Sequence, residues 1–581
     1  MKSILPFLKS ILVEALIIIF SFLLFNFYVG EPYKAINADG IGYYDYLPSL
    51  FIHRDFDRKD APINKNPDLY NRVKSRGVYN FYGDYMVDKY PCGVAILAFP
   101  FFIYTHSLLA DSYTGDADDG YQGAFQKTMF YTALFYLFLG LLFVRKVLKL
   151  YDVKRSVIIF CQVLIVFATS VAHYTYYDPA FSHIYSFFAI TAFIYFSKSY
   201  FIGFRTRDFL FACLLLGLIV ALRQINIMIV LFLPFLAGSV VQLKEGFIFI
   251  FKKWPILLAG LVLFLGIACI QCLAWYFQTG KFILYSYQGE GFEYLTNPQI
   301  INVLFSYKKG LFLYTPILLF CVLSVSWLII KRKYYLAISW LSFFAIITYI
   351  FSAWESWFYG CSFGQRVYVD FYAIFFIPFA VMVSQAAITL KLIVVPLAFL
   401  TIPLSIIQTY QYEKYILSWM EMDKEKYWKV FLKTEDKYRG LIWKKHYDMS
   451  LYSTVKEVYI GDIDVPLNKY THVYNLNSVD IPDFEKVSII QIIIDSDFPD
   501  RSDTKIVVSI NSKEHKQSFY WHESYLIRFH ETKLDEWHTG FYNYEFAPIT
   551  GDEEKVISFG VFAKNEPSKL SNVRIKFFTR L

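Results

Sequence analysis

Long apolar runs alternate with short polar connectors as far as Tyr410, and beyond that point the period of the pattern changes. Runs that can cross a bilayer, which takes roughly 17–25 residues, lie at 4–28, 123–147, 155–173, 181–202, 208–222, 225–243, 255–277, 311–331, 334–352, 367–389 and 391–410. One further run, 93–110, is shorter, is interrupted by Pro100 and leads into the acidic stretch DSYTGDADDG. Between 411 and 454, Trp, Tyr and Leu recur at helical spacing with charges between them, which predicts an interfacial helical linker containing a pair of helices. From 455 the period is two. KEVYIGDI, THVYNL, VSIIQIIID, KIVVSIN, QSFYWHESYLIRF, FYNYEFAP, KVISFGVFA and VRIKFFT are separated by Asp, Asn, Gly, Pro and Ser turns, and predict an antiparallel β-sandwich over 455–581.

The basic residues orient the chain. RKVLKLYDVKR (145–155), KSYFIGFRTR (198–207), KEGFIFIFKK (244–253) and KRK (331–333) all belong on the cytoplasmic side by the positive-inside rule. That is satisfied if 93–110 stays in the outer interface as a re-entrant or juxtamembrane helix. Eleven spans then follow, with the N-terminus inside and the sandwich outside. The first segment carries Lys2 and Lys9 and no small-residue cleavage site, so it reads as a retained span. On the outer face lie 29–122, the turn HYTYYDPAFSH (173–183), the turn near Arg223, the loop 278–310 and WESWFYGCSFGQR (354–366). Chemistry is expected there.

Composition supports the membrane class: of 581 residues, 56% are hydrophobic and 18% charged, with 60 Phe and 48 Tyr to serve as interfacial anchors. The net charge of +7 reflects the cytoplasmic connectors, and no basic run of the nucleic-acid-binding kind is present. Five of the seven cysteines fall inside apolar runs, which leaves Cys92 and Cys361 and no disulfide framework.

The polar residues of the outer face are the candidates for function. Asp39 follows the first span in DGIGYYDYLPSLF, with Gly40 and Gly42 beside it. Asp45 competes with it, since a six-residue spacing does not say which of the two points into a cavity. Asp55 and Asp57 read as a solvated face. Glu355 between Trp354 and Trp357 suits a sugar face, with the indoles stacking and the acid bonding hydroxyls, or equally an aromatic interfacial anchor. His173 and His183 flank Asp178, but without metal-ligand spacing. No metal site is assigned, and a divalent cation stays open. P-loop, Gly-rich strand-to-helix turn and D-x-D motifs are missing, so a nucleotide donor is not expected.

The opening DG-x-G-YY-x-YLPSL resembles that of the membrane glycosyltransferases of the GT-C fold. It is closest to the bacterial branch of lipid A aminoarabinose transferases, protein O-mannosyltransferases and Rgt-type glycosyltransferases. DKYPCGVAILAFPFF (88–102), YYDPAFSH (176–183), LRQIN (222–226), KKGLFLYTP (308–316) and WESWFYGCSFGQR continue the resemblance in order over 1–410, with Cys361 where a second Gly is expected. The resemblance implies a catalytic domain over 1–410 and transfer of a sugar from a polyprenyl-phosphate donor, with inversion, to a lipid, glycan or protein acceptor. It implies the outer face of a bacterial plasma membrane. Asp39 becomes the catalytic base and Asp178 a second acidic residue. The leaving phosphate is expected to meet Arg366, Arg223, Lys308 or Lys309, and the sugar or acceptor Tyr43, Tyr44, Trp354, Glu355 and Trp357. A glycolipid flippase or transporter and a polysaccharide polymerase stand as alternatives.

Overall fold

The computed structural model describes residues 4–30, 34–54, 56, 78–82, 85–109, 120–435, 438–443, 449–467, 469–495, 504–514, 518–526, 530–534, 537–547, 549, 551, 553–563 and 568–581. Asp55, Asp57 and nearly all of the acidic stretch 111–120 lie outside them. The chain divides into two compact units, 1–410 and 411–581.

The first unit is helical. Six of its described helices are long and apolar enough to cross a membrane, or seven if one bent pair counts as a single span. They include Ile4–Tyr28, Gly123–Lys149, Trp254–Thr279, Tyr334–Ala353 and Ile388–Glu413. The expected count is eleven; of the other runs, His183–Gly203 and Thr206–Leu222 are single helices outside those six, and three are folded in pieces. The run 155–173 forms Arg155–Phe167 and then Val171–Tyr176. The run 311–331 forms Leu311–Tyr314, Ile317–Leu323 and Val325–Ile330, with breaks at Thr315–Pro316 and at Ser324. At 225–243 a 3₁₀ segment, Gln224–Phe232, leads into Leu233–Ala237 and then turns by 117° into Val240–Lys252. That bend turns the basic stretch 244–253 into a helix of its own. The run 93–110 is the 17-residue helix Gly93–Leu109, shorter than the six candidate spans.

Burial separates the helices into two kinds. Within the span Arg366–Gln385 residues 367–384 are all buried in protein, whereas Trp254–Thr279 and Ile388–Glu413 are mostly exposed. Their exposed Leu, Ile, Val and Phe side chains suit a lipid solvent. One charged group is buried inside the first helix. Glu14, fully enclosed, accepts a bond from Gln162 Nε2 at 2.8 Å and lies 3.3 Å from Arg145, so it is compensated as a buried charge must be.

The segment after the first helix forms Asp39–Phe51, which is buried along most of its length. A small antiparallel hairpin, β1 (Tyr79–Tyr82) and β2 (Tyr85–Asp88), precedes Gly93–Leu109. The start of that helix packs backbone to backbone on the end of Thr206–Leu222. A Cβ on Gly93 would sit 2.4 Å from Leu222 N and 2.5 Å from the Ala221 carbonyl carbon and oxygen.

In the second unit the expected helix pair is reduced, among the described residues, to Lys424–Val430 and two 3₁₀ turns. Asp423 caps the short helix, accepting from Lys426 N at 2.9 Å. Among the described residues nine strands follow where eight are expected. A four-stranded antiparallel sheet has the order β4 (Thr471–Asn477), β10 (Lys555–Phe562), β6 (Lys505–Ser512), β7 (Ser518–Tyr525). A five-stranded one has the order β3 (Tyr452–Val465), β11 (Ser568–Arg580), β5 (Val487–Asp495), β9 (Trp537–Glu545), β8 (His530–Leu534). The ninth strand, β8, is a short edge strand without apolar alternation. Both sheets contribute to one apolar cluster, with Ile490, Ile492 and Ile494 of β5 and Ile506, Val508 and Ile510 of β6 at its centre. Among the aromatics expected in this core Tyr544 is buried, but Trp521 is 60% exposed, because it is adjacent in strand to Tyr520 and must face the other way.

The Gly93 contact predicts an outcome. Gly93→Val forces apart two backbones that cannot yield as a side chain can, at a cost of about 1–3 kcal/mol. Thermal unfolding in detergent, followed by loss of monodisperse elution, is expected at a lower temperature than for the parent, whereas Gly123→Val, at a site with open space, leaves it unchanged.

Candidate functional site

A cavity of about 440 Å³ opens in the first unit, lined by Asp39, Tyr43, Lys89, Tyr90, His183, Arg223, Tyr285, Tyr287, Glu290, Trp354, Glu355, Tyr359 and Arg366 among others. Six separate pieces of chain bring these groups together. Asp39 is the first residue of its helix, where the N-terminal dipole favours a carboxylate, and Ala38 before it takes φ 42° to turn the chain in. Lys89 and Tyr90 come from the turn between β2 and Gly93–Leu109. Arg223 follows Thr206–Leu222, and Arg366 opens the 3₁₀ turn Arg366–Phe371 ahead of the enclosed helix.

The centre of the cavity is an ion pair. Arg366 Nη1 lies 2.7 Å from Asp39 Oδ2, with both side chains mostly buried. The Tyr90 hydroxyl donates to the same carboxylate. Burial by itself pushes the Asp39 carboxyl up, but the Arg366 guanidinium, the Tyr90 bond and the Lys89 ammonium together outweigh it and hold it below the ordinary range. The guanidinium also faces the Phe181 ring, 5.6 Å from its centroid. The Nε of Arg366, also buried, has no hydrogen-bond acceptor among the described residues.

Arg223 belongs to a second cluster, which sequence reasoning missed. Asp370, fully buried, accepts from Asn226 Nδ2 at 2.7 Å, bonds His183 Nδ1 at 2.7 Å and lies 3.9 Å from Arg223 Nε. A carboxylate only accepts, so His183 carries its proton on Nδ1, and Arg223 Nη1 lies against the ring, 3.3 Å from Nδ1 and 3.4 Å from Nε2. The only signal for Asp370 in the sequence is its place four residues after Arg366, inside an apolar run.

The two competing aspartates have different surroundings. Asp45 is fully buried and accepts from Ser49 Oγ at 3.0 Å and from the hydroxyls of Tyr79 and Tyr121. It ties Asp39–Phe51 to the hairpin and to the segment that enters Gly123–Lys149. Asp39 alone of the two lines the cavity. Gly42 lets the Tyr90 ring approach, since a Cβ there would be 2.4 Å from Tyr90 Cδ2.

The other expected site residues divide. Tyr43, Trp354 and Glu355 line the cavity. Tyr44 does not: it is buried on the far side of its helix and donates to Gly120 O at 2.7 Å. Trp357 packs against the helical core instead. Asp178 is also outside the lining and is bound by His173 Nε2 at 2.9 Å. His173 and His183 thus serve two different aspartates and do not converge. Lys308 lies 3.7 Å from the centroid of Phe358. Lys309 is buried, and its Nζ donates to Gly360 O and to Ser362 Oγ, the latter at 2.6 Å. Burial, then the charge of Arg366, holds its ammonium well below the usual lysine range. It anchors the loop 354–366 from behind. Lys89, Tyr90, Tyr287 and Glu290, not singled out from the sequence, form the opposite wall, with Lys89 paired to Glu290 and set 5.1 Å from the centroid of Tyr287.

The chain matches no protein-family model and no curated protein sequence.

The Asp39–Arg366 pair sets a pH dependence. With its folded carboxyl below the unfolded value of about 4, the stability contributed by Asp39 is present in full above that value. It is lost as pH falls through the folded value. Thermal midpoints recorded as the pH is lowered from 6 to 3 are expected to fall more steeply for the parent than for Asp39→Asn, and equal slopes would refute the pairing.

Proposed function

We propose that the chain is an inverting membrane glycosyltransferase of the GT-C type. It moves a sugar from a polyprenyl-phosphate donor to a lipid, glycan or protein acceptor at the outer face of a bacterial plasma membrane. The observation that carries this reading is the cavity in which an ionised carboxylate and two guanidiniums face an aromatic wall. Each part answers a need of the reaction. As the acceptor hydroxyl attacks the anomeric carbon, its proton passes to the Asp39 carboxylate, a general-base role. The bond from that carbon to the phosphate oxygen breaks on the opposite face, and the charge left on the phosphate is met by Arg366 and Arg223. Trp354 and Tyr287 offer ring faces to the sugar, and Glu355 a carboxylate to its hydroxyls. Gly93–Leu109 lies in the outer interface, and eleven crossings, several of them broken, keep the four basic connectors inside and the β-sheet unit outside.

One observation favours a glycolipid transporter, the charge buried inside the first helix at Glu14, since ionisable groups within spans mark transport paths. Glu14 is not among the residues that line the cavity, and its partners Arg145 and Gln162 join three helices.

Two measurements test the reading. Asp39→Asn keeps the size of the side chain but cannot take a proton. Sugar transfer by purified, detergent-solubilised protein is expected to fall by roughly two to four orders of magnitude, while Asp45→Asn costs stability first. Transfer by Asp39→Asn at the parental rate would remove the base. For the topology, reporter fusions after residues 115 and 450 are both expected to signal outside, and an inside signal at 115 would overturn it.

A further inference from the structure

Arg366 carries the one guanidinium that the cavity asks to serve two anions. Its Nη1 is held by Asp39 at 2.7 Å, while its Nε is buried without an acceptor among the described residues. A buried guanidinium in that state is a strong claimant for a second, better-matched anion. Asp39 is in the complementary position. While Arg366 and the Tyr90 hydroxyl hold it, its negative charge is stabilised and it is a weak proton acceptor. Arg223 differs, because Asp370 and His183 already anchor it.

We propose that Arg366 is handed from Asp39 to the donor's phosphate when the donor binds, so that Asp39 becomes a proton acceptor only with the donor in place. The proposal rests on the donor reading above and adds a gate to it. Two negative groups are brought beside one cation, and the phosphate oxygens fit the fork of the guanidinium. Asp39 then loses its counter-ion and gains a negative neighbour, and both changes favour its protonated form. The acceptor hydroxyl therefore meets a competent base only after the leaving group is seated, which protects the cavity from unproductive proton traffic.

Every charged group around Asp39 bears on this. From the turn before Gly93–Leu109 come Lys89 and Tyr90, and Tyr43 is on its own helix. Tyr287 and Glu290 face it from the loop 278–310, with Lys89 bound to Glu290, and Glu355 lines the same cavity from the loop 354–366. Arg223 and His183 line the same cavity and are fixed to Asp370, and Lys309 behind the loop acts on Arg366 and Asp39 only through charge. Arg366 alone pairs with Asp39 directly while also offering an unbonded donor.

The test uses the full chain in detergent and the methyl diester of undecaprenyl phosphate, whose single negative charge does not titrate. Calorimetry at pH 4.5–6 in two buffers of different ionisation enthalpy reads the protons exchanged on binding. The parent is expected to take up part of a proton, by a shift of roughly 1–3 units in Asp39, and Asp39→Asn none. Asp39→Asn is also expected to bind the diester tighter, by roughly three- to tenfold, because Arg366 no longer has to leave a carboxylate. Parental binding with no proton uptake overturns the hand-over but spares the donor site, and this arm needs no variant to fold. Uptake that persists unchanged in Asp39→Asn, or binding no tighter in that variant, also overturns it. A parent that does not bind the diester overturns the donor reading and the hand-over together.

Discussion

A guanidinium placed among apolar helices has to be matched by a carboxylate, and two such matches organise the helical unit. Arg366 is met by Asp39, and Arg223 by Asp370 with His183 and Asn226. The cost of leaving either cation alone in low dielectric is large, so the four pieces of chain that carry these groups are forced into one place. The enclosed helix behind Arg366, the end of Thr206–Leu222 and the start of Asp39–Phe51 converge for that reason. The cavity is the space left between the two matched pairs and the aromatic segments around them.

The pairs differ in a way that matters for chemistry. Asp370 has its lone pairs occupied and no exposure, so it holds Arg223 and the His183 ring as fixed parts of the wall. Asp39 is partly exposed to the cavity, and its partner has a donor to spare. A structural and a convertible ion pair thus stand side by side. Asp45 gives a third contrast: with three hydroxyl donors on it, it is a tether for the segments around it. Three aspartates near one cavity have three roles, set by what surrounds each.

The helical unit also shows how membrane segments bend without losing compensation. The runs at 155–173, 225–243 and 311–331 break where Ser, Pro and Gly allow it; the breaks at 168–170, at Thr315 and at Ser324 are buried in protein, and the one at Gly238–Ser239 is at an exposed site. At the first of them Thr169 Oγ1 takes Ile165 O and Ser170 Oγ meets the Tyr372 hydroxyl at 2.9 Å, so freed backbone and side-chain groups find partners.

Much of the architecture was legible in the sequence because it follows from local periodicity. The apolar runs predicted where helices lie, the period-two stretches predicted eight of the nine strands, and the ninth, HETKL, has no apolar alternation to mark it. The span count was less legible, because hydropathy measures apolar length and is blind to a polar turn such as Thr315–Pro316 inside it. At the site, Asp39, Tyr43, Arg223, Trp354, Glu355 and Arg366 are singled out by their place in the outer-face segments and by the resemblance those segments carry. Tyr44 and Trp357 could not be told from Tyr43 and Trp354, since only packing says which side of a helix or loop faces the cavity. Whether Asp39 or Asp45 meets Arg366 rested on the tertiary fold for the same reason, as did the partnership of Asp370 with His183 across 187 residues. Sequence alone determined which segments are apolar, helical or extended, because those properties belong to stretches a few residues long. Which charges meet was decided by the fold, because a buried charge takes its character from partners that the chain brings from far away.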